Sequence, residues 1–387
     1  MKNIFKNGGA ILKKKLLIFI PSLAGGGAER TIINIMKYLD KSIFDITLVM
    51  VNNYVNNENK HEYLELIPSE VKVKYLNCSL SKYSIAKIIG RLAKIINSEN
   101  PNLIFSTTMK ANIITVLAGK FSKVNAPIII RESNNRSESK IPRVYKVLTS
   151  LLYNRADHVI GLSKGVEEDL IENFQVDKSK TSVIYNPIDI ESIYGLKEEK
   201  VEDLTLDSEE KLIVSVGRLV KQKDYETLLR AFAIIEKSVK SRLLILGKGP
   251  EEENLRLLTE SLNLTEKVNY LGFKKNPYKY MQLSDLFILS SKWEGFGHVI
   301  VEAMTLGIPV VSTNCKSGPG EIIDRNKFGV LVEVGNYKQM AEKSIDILCN
   351  PDKHNILAEL GRSRSVDFNA EKIVKEYQNL FTTIMNR

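Results

Sequence analysis

Two glutamates eight residues apart, Glu294 and Glu302, flank a turn that carries Gly295 and Gly297. An ionised carboxylate accepts hydrogen bonds from two adjacent hydroxyls, so either glutamate can grip a ribose or a hexose. The two glycines remove side chains that would hold a ligand away from the backbone. Val299–Met304 reads as a helix stopped by Gly307 and Pro309. The free N–H groups and partial positive charge at its start suit a phosphate. One glutamate alone would read as an ordinary loop or solvated helix charge. Two at this spacing, around a glycine-bearing turn, point to a binding site. A second set lies upstream, where Arg218 and Lys223 follow an apolar run that ends at Gly217. Arginine binds phosphate bidentately and lysine binds it as a point charge. Either cation alone would pass for surface charge on a loop entering a helix. No strand-terminal Asp-x-Asp pair accompanies them, so fixed cations rather than a divalent metal are expected to balance a phosphate here.

These residues need strands to hold them. Leu286–Leu289 is a short apolar run that reads as a buried parallel strand, and ligands in open α/β sheets sit at the carboxyl ends of such strands. Leu212–Val216 and Arg242–Leu246 read as further strands, with a helix over Tyr225–Lys237 between them. The N-terminal half alternates in the same way. Leu16–Ile20, Ile46–Val51, Val71–Leu76, Leu103–Ser106, Pro127–Ile130, Asp157–Leu162 and Thr181–Tyr185 read as strands; Glu29–Leu39, Ile85–Asn97 and Ala111–Phe121 read as helices. This is the βαβ pattern of a parallel sheet. After the first strand, Ala24–Arg30 contains Gly25, Gly26 and Gly27 and opens a helix. It reads equally as an anion site and as a tight turn. It is not a dinucleotide fingerprint, because Arg30 stands at the third glycine position. Arg131 and Glu132 follow another strand, again at a carboxyl end, and read either as a turn rich in Asn or as an acceptor contact.

The stretch Glu294-Gly295-Phe296-Gly297 through Glu302-Ala303-Met304 resembles the Glu-x7-Glu signature of retaining glycosyltransferases with the GT-B fold, specifically glycosyltransferase family 4 (glycosyl transferases group 1). The similarity continues through Gly307–Val311 and Ser317–Ile323. Gly217–Asp224 resembles the family's donor-phosphate segment, and Leu246–Pro250 its nucleoside-side turn. The four motifs stand in family order across the C-terminal half; the N-terminal half matches less specifically. The resemblance implies two doubly wound Rossmann-like domains with a cleft between them. It implies that Glu302 holds the ribose and that Glu294 sits over the transferred sugar. Phe296, Gly297, His298 and Val299 would meet sugar and phosphate largely through backbone groups, and His298 is read as a backbone or packing residue rather than a general base. Gly217, Arg218 and Lys223 would face the diphosphate, while Gly26, Gly27, Arg131 and Glu132 would lie on the acceptor side. Many relatives carry a His near Glu132, and this chain does not.

The composition bounds the rest. The chain has 387 residues, 43% hydrophobic and 26% charged, which suits two ordinary domains with their own cores. The boundary is expected near the strongly charged stretch Ser192–Glu210. Residues 1–190 would form the acceptor-side domain, 191–370 the nucleotide-sugar domain, and 371–387 a helix that in GT-B relatives returns to the first domain. Cys78, Cys315 and Cys349 are unclustered and odd in number, which fits neither a disulfide framework nor a metal cage. Lys13–Lys15 before an apolar run mimics a signal peptide, but Pro21 and an immediate amphipathic helix favour a first strand behind a loose tail. No stretch approaches the length of a membrane span.

Net charge is +9, and basic residues crowd between Lys110 and Arg155. That suits an anionic membrane surface or a lipid diphosphate; without zinc-finger spacing or a long basic run, nucleic acid is not expected. Ile141–Tyr153 mixes these cations with apolar residues at helical spacing, as a helix packed into the core or as an interfacial one. The expected partners are a nucleotide diphosphate sugar, a glycan or polyprenyl-diphosphate-linked acceptor, and an anionic membrane, with no metal or other cofactor. The expected place is the cytoplasm, peripheral at the inner face of the cell membrane. Competing readings are an epimerase of the same architecture, a dinucleotide oxidoreductase, and a non-catalytic nucleotide-sugar-binding subunit.

Overall fold

The computed structural model describes residues 13–52, 63–78, 84–138, 141–204, 207 and 209–387. The expected N-terminal tail, most of the polar stretch that follows Asn52 in the sequence, and Lys140 lie outside the described residues. Two parallel sheets organise the chain. The first contains β1 (Lys14–Phe19), β2 (Phe44–Met50), β3 (Lys72–Tyr75), β4 (Leu103–Thr107), β5 (Ile128–Glu132), β6 (His158–Gly161) and β7 (Thr181–Val183), in the order β3-β2-β1-β4-β5-β6-β7. The second contains β8 (Lys211–Val216), β9 (Ser241–Leu246), β10 (Val268–Gly272), β11 (Leu286–Leu289), β12 (Val310–Thr313) and β13 (Val330–Val332), in the order β10-β9-β8-β11-β12-β13. Parallel strands covered on both faces need continuous apolar runs rather than alternation. The central strands obey this: β4, β5 and β11 are buried along their whole length, whereas the edge strand β3, Lys-Val-Lys-Tyr, is not.

The chain forms two compact units. One comprises residues through Arg131 with 147–159 and 374–387; the other comprises 132–146 and 160–373. In the first unit, the amphipathic helix Gly27–Tyr38 buries Ile32, Ile33, Ile35 and Met36. Tyr377 and Phe381, from the helix Ala370–Met385, are fully buried and set their rings against Phe105, and Phe381 also meets Phe44 edge-on. Arg131 is fully buried beside them. Its Nε donates to the Tyr377 hydroxyl at 3.0 Å and its Nη1 to Thr107 Oγ1 at 3.1 Å. The guanidinium thus ties the last helix to β4 and β5.

In the second unit, the core gathers Ile213, Leu228, Phe232, Ile245, Leu286, Ile288 and Val311 under the helices that flank the sheet. The sequence alternation stops short here. Strands β10, β12 and β13, and the helices Lys164–Phe174, Glu252–Ser261, Tyr337–Cys349 and Pro351–Ser365, carry no expectation above. The helix Arg143–Tyr153 divides its apolar residues. Thr149, Leu152 and Tyr153 are buried, while Val144, Val147 and Leu151 are 59%, 49% and 61% exposed, so one face packs inward and a second apolar face is left exposed.

Candidate active site

In the second sheet the strand order reverses between β8 and β11, because the chain runs outward from β8 to β10 and then returns to β8's other side. Such a switch point leaves a crevice outside the strands' carboxyl ends. Both sequence-predicted sets start there. Residues 217–224 leave β8, make one 3₁₀ turn at Lys221–Lys223, and pass through a left-handed Asp224 (φ 47°) into the helix Tyr225–Ser238. Residues 290–297 leave β11 and enter the helix His298–Leu306, longer by a few residues than the expected Val299–Met304 and stopped at Gly307.

The two loops are stitched together. Ser290 Oγ donates to the Lys223 carbonyl at 2.8 Å, Lys292 N donates to the Gln222 carbonyl at 2.8 Å, and Gln222 Nε2 donates to the Trp293 carbonyl at 2.8 Å. From the β12 side, Thr313 Oγ1 donates to the Ser291 carbonyl at 2.6 Å and Ser317 Oγ to the Glu294 carbonyl at 2.7 Å. Two glycines are obligatory. Gly297 has φ +100°, a conformation L side chains rarely adopt, and a Cβ on Gly295 would lie 2.5 Å from the Ser133 carbonyl oxygen.

Inside this frame Glu294 is 7% exposed and Glu302 1% exposed, which rules out reading them as a solvated loop charge and a solvated helix position. Glu294 Oε1 accepts hydrogen bonds from Lys223 Nζ at 2.5 Å and Ser291 Oγ at 2.7 Å. Lys223, expected to face a phosphate, is thus ion-paired with the glutamate expected to face a sugar. Arg218 is exposed and makes no ion pair among the described residues. Gly217, directly before Arg218, accepts the Tyr225 hydroxyl on its carbonyl at 3.1 Å. Burial holds that phenol well above its ordinary range. Burial, and then the Glu294 charge, push the Cys315 thiol up to about 12, so it is not a thiolate nucleophile.

Phe296 is 2% exposed, with its ring 5.7 Å from Tyr185, 5.3 Å from Phe368 and edge-on to His298. Only its backbone is available to a ligand. His298 Nδ1 lies 3.1 Å from Asn186 Nδ2. An amide nitrogen only donates, so Nδ1 is the acceptor in this contact. Val299 is half-buried on the same first turn. Glu132 is fully buried and paired to Arg136 at 2.7 Å. Gly26 caps the helix Gly27–Tyr38 in the first unit, where a Cβ on it would lie 2.4 Å from Glu29 Oε2. The chain's own carboxylate therefore lies over that helix start. Among the described residues, no three His, Cys, Asp or Glu side chains cluster as a metal site.

The chain matches two family models: Glycosyltransferase Family 4 over residues 25–192, and Glycosyl transferases group 1 over residues 197–364. It is 33% identical over 378 residues to the N-acetylgalactosamine-N,N'-diacetylbacillosaminyl-diphospho-undecaprenol 4-alpha-N-acetylgalactosaminyltransferase of Campylobacter jejuni, covering 94% of this chain and 98% of that protein. The chain belongs to glycosyltransferase family 4. A capsular polysaccharide biosynthesis glycosyltransferase of Staphylococcus aureus is 24% identical, with 90% of this chain and 94% of that protein covered. The Anabaena protein HepE, solved in complex with UDP, superposes with a TM-score of 0.78 at 22% identity over 96% of this chain and all of its own. With its two parallel sheets and these neighbours, this glycosyltransferase has the GT-B fold.

Several site residues of the glycosyltransferase escape sequence reading. Ser291 and Thr313 help hold the Glu294 loop, yet isolated Ser and Thr in a strand or turn carry no local signal; Ser317 lies within a family-like segment, but its bond to the Glu294 carbonyl could not be read from it. Glu321 receives the backbone N–H groups of Lys164 and Gly165 at 2.8 and 3.0 Å and the Tyr185 hydroxyl at 3.1 Å. The neighbouring Ser163 donates to the Gly295 carbonyl at 2.8 Å. Glu321 lies within a family-like segment, but its partners are more than a hundred residues away in sequence.

Proposed function

We propose that this glycosyltransferase moves a hexose or N-acetylhexosamine from a UDP-sugar to a glycan or polyprenyl-diphosphate-linked glycan, with retention at the anomeric carbon, in bacterial surface-polysaccharide or glycoconjugate synthesis. The observation that carries this is the buried Glu294–Lys223 pair at the β8/β11 switch point, with the buried Glu302 on the adjoining helix. The Campylobacter relative's name, an N-acetylgalactosaminyltransferase acting on a diphospho-undecaprenol glycan, supports the acceptor class; the UDP in the Anabaena structure supports the nucleotide.

In this reading Glu302 holds the ribose and the first turn of the helix His298–Leu306 turns its N–H groups to the diphosphate. The bond from the anomeric carbon to the leaving phosphate oxygen breaks while the acceptor hydroxyl adds from the same face, and its proton passes to that phosphate oxygen. Negative charge gathers on the diphosphate as the bond breaks. Arg218, exposed and without an ion-pair partner among the described residues, and Lys223, whose ammonium has N–H donors beyond the one on Glu294, stabilise it without a metal ion. Incubation with UDP-N-acetylgalactosamine, UDP-N-acetylglucosamine, UDP-glucose or UDP-galactose and a polyprenyl-diphosphate glycan, followed by mass spectrometry and NMR of the linkage, tests it. Conversion of the donor without acceptor would favour the epimerase, and no binding of any UDP-sugar would refute the proposal.

The same enzyme is proposed to work peripherally at an anionic membrane. Along the helix Arg143–Tyr153, the exposed Val144, Val147 and Leu151 lie among exposed Arg143 and Lys146, and the helix contains no acidic residue. Each cation near an anionic surface contributes about 1 kcal/mol, and the apolar stripe adds burial in the interface. Co-sedimentation with anionic vesicles should weaken in Arg143→Glu/Lys146→Glu and in Val147→Asp/Leu151→Asp, with UDP affinity spared. Equal binding to neutral and anionic vesicles, or none to either, would refute the proposal.

A further inference from the structure

We propose that Ser291 is a positioning residue for Glu294: with Lys223 it saturates Oε1, so that Oε2 is the oxygen presented to the transferred sugar. This rests on the sugar-binding reading of Glu294. A carboxylate only accepts, so the 2.7 Å contact is donated by the Ser291 hydroxyl, and Lys223 donates to the same oxygen. Two donors on one oxygen occupy its lone-pair directions. Glu294 Oε2 accepts no hydrogen bond from the described residues, and it is not one of their buried polar atoms left without a partner. It therefore reaches solvent.

The hydroxyl that sets this asymmetry is itself fixed. Ser291 is fully buried, and its carbonyl accepts from Thr313 Oγ1, also fully buried, at 2.6 Å. The carbonyl of Glu294 is fastened by Ser317 Oγ at 2.7 Å. Backbone and carboxylate are thus held from different directions. What Lys223 alone would leave is a carboxylate free to rotate about its last bond, because an ammonium is a point charge without directional preference. The serine hydroxyl, three residues away on the same turn, removes that freedom and keeps one oxygen aimed outward. A site held within about 0.5 Å of its productive geometry depends on such supporting hydrogen bonds.

The test compares Ser291→Ala and Ser291→Thr with the full-length enzyme. Three measurements are made: crystal structures of the unliganded proteins, UDP affinity by calorimetry, and transfer from UDP-N-acetylgalactosamine to a polyprenyl-diphosphate glycan. In Ser291→Ala the Glu294 carboxylate should occupy more than one orientation, UDP affinity should stay within about twofold, and kcat should fall by about tenfold, the scale of one hydrogen bond to a charged group. Ser291→Thr, which keeps the hydroxyl, should restore a single orientation and most of kcat. A merely stabilising serine would lower the melting temperature without this kcat change or its rescue. An unmoved carboxylate in Ser291→Ala, or wild-type kcat, overturns the proposal. If the wild type neither binds UDP nor transfers sugar, the functional reading falls, and the carboxylate orientation still decides whether Ser291 positions Glu294.

Discussion

Replacing Lys223 with methionine should damage the fold as well as the chemistry. The Lys223 side chain is 16% exposed and that of Glu294 9%, so neither charge is well solvated. Removing one partner of a fully buried pair costs about 3–5 kcal/mol, because the other charge is left uncompensated. Here Ser291 still donates to Glu294 and Oε2 meets solvent, which reduces the expected cost to about 2–3 kcal/mol. In a unit of this size that is a melting shift of roughly 4–12 °C. The lone tryptophan, Trp293, adjoins Glu294, so its fluorescence follows unfolding at this site. Glu294→Gln removes the stranded charge, and in Lys223→Met/Glu294→Gln a coupling of about 1.5 kcal/mol or more should return. Arg218→Ala supplies the contrast: its guanidinium is exposed and makes no ion pair among the described residues, so stability should not change. Both cation variants should lose transfer by about 2.7–4 kcal/mol of barrier, measured below the variant's melting range. A coupling under about 0.5 kcal/mol with unchanged melting would refute the reasoning, because the pair would then be no more than a surface contact.

Glu302→Ala should chiefly weaken UDP itself, whereas Glu294→Ala should chiefly lower turnover; equal losses of UDP affinity by calorimetry would count against separate roles. Gly295→Ala should cost about 1–3 kcal/mol of stability and most of the activity, because its Cβ would lie 2.5 Å from a backbone carbonyl that cannot rotate away. A chelator should leave the transfer step intact with a soluble acceptor, and loss of activity reversed by magnesium or manganese would contradict this. Burial, and then the Arg387 charge, hold the His158 imidazole below its ordinary 6.5. The unfolded chain therefore binds the extra proton first, and the histidine's contribution to stability is complete above that value and lost as pH falls from it toward the folded-state value. Denaturation curves between pH 7 and 5 should be flatter for His158→Gln than for wild type.

Much of this enzyme is written in local pattern. The apolar run Leu286–Leu289 and the stop at Gly307 needed only neighbouring residues, and both stand as expected. The strands of the first sheet were found within a few residues of their ends, since parallel strands buried on both faces are apolar without interruption. The spacing of Glu294 and Glu302, and the order of the motifs around them, carried the family. What the sequence could not contain is who meets whom. Lys223 and Glu294 are 71 positions apart and approach only because the β8 and β11 loops meet at the switch point. Arg131 looked like a loop residue at a strand's end, and only the return of the helix carrying Tyr377, 246 positions later, made it a buried one. For Val144, Val147 and Leu151 the periodicity told of an apolar face, but not whether anything covers it. Periodicity is a property of one helix, whereas burial, pairing and charge compensation depend on the surfaces that tertiary folding brings against it.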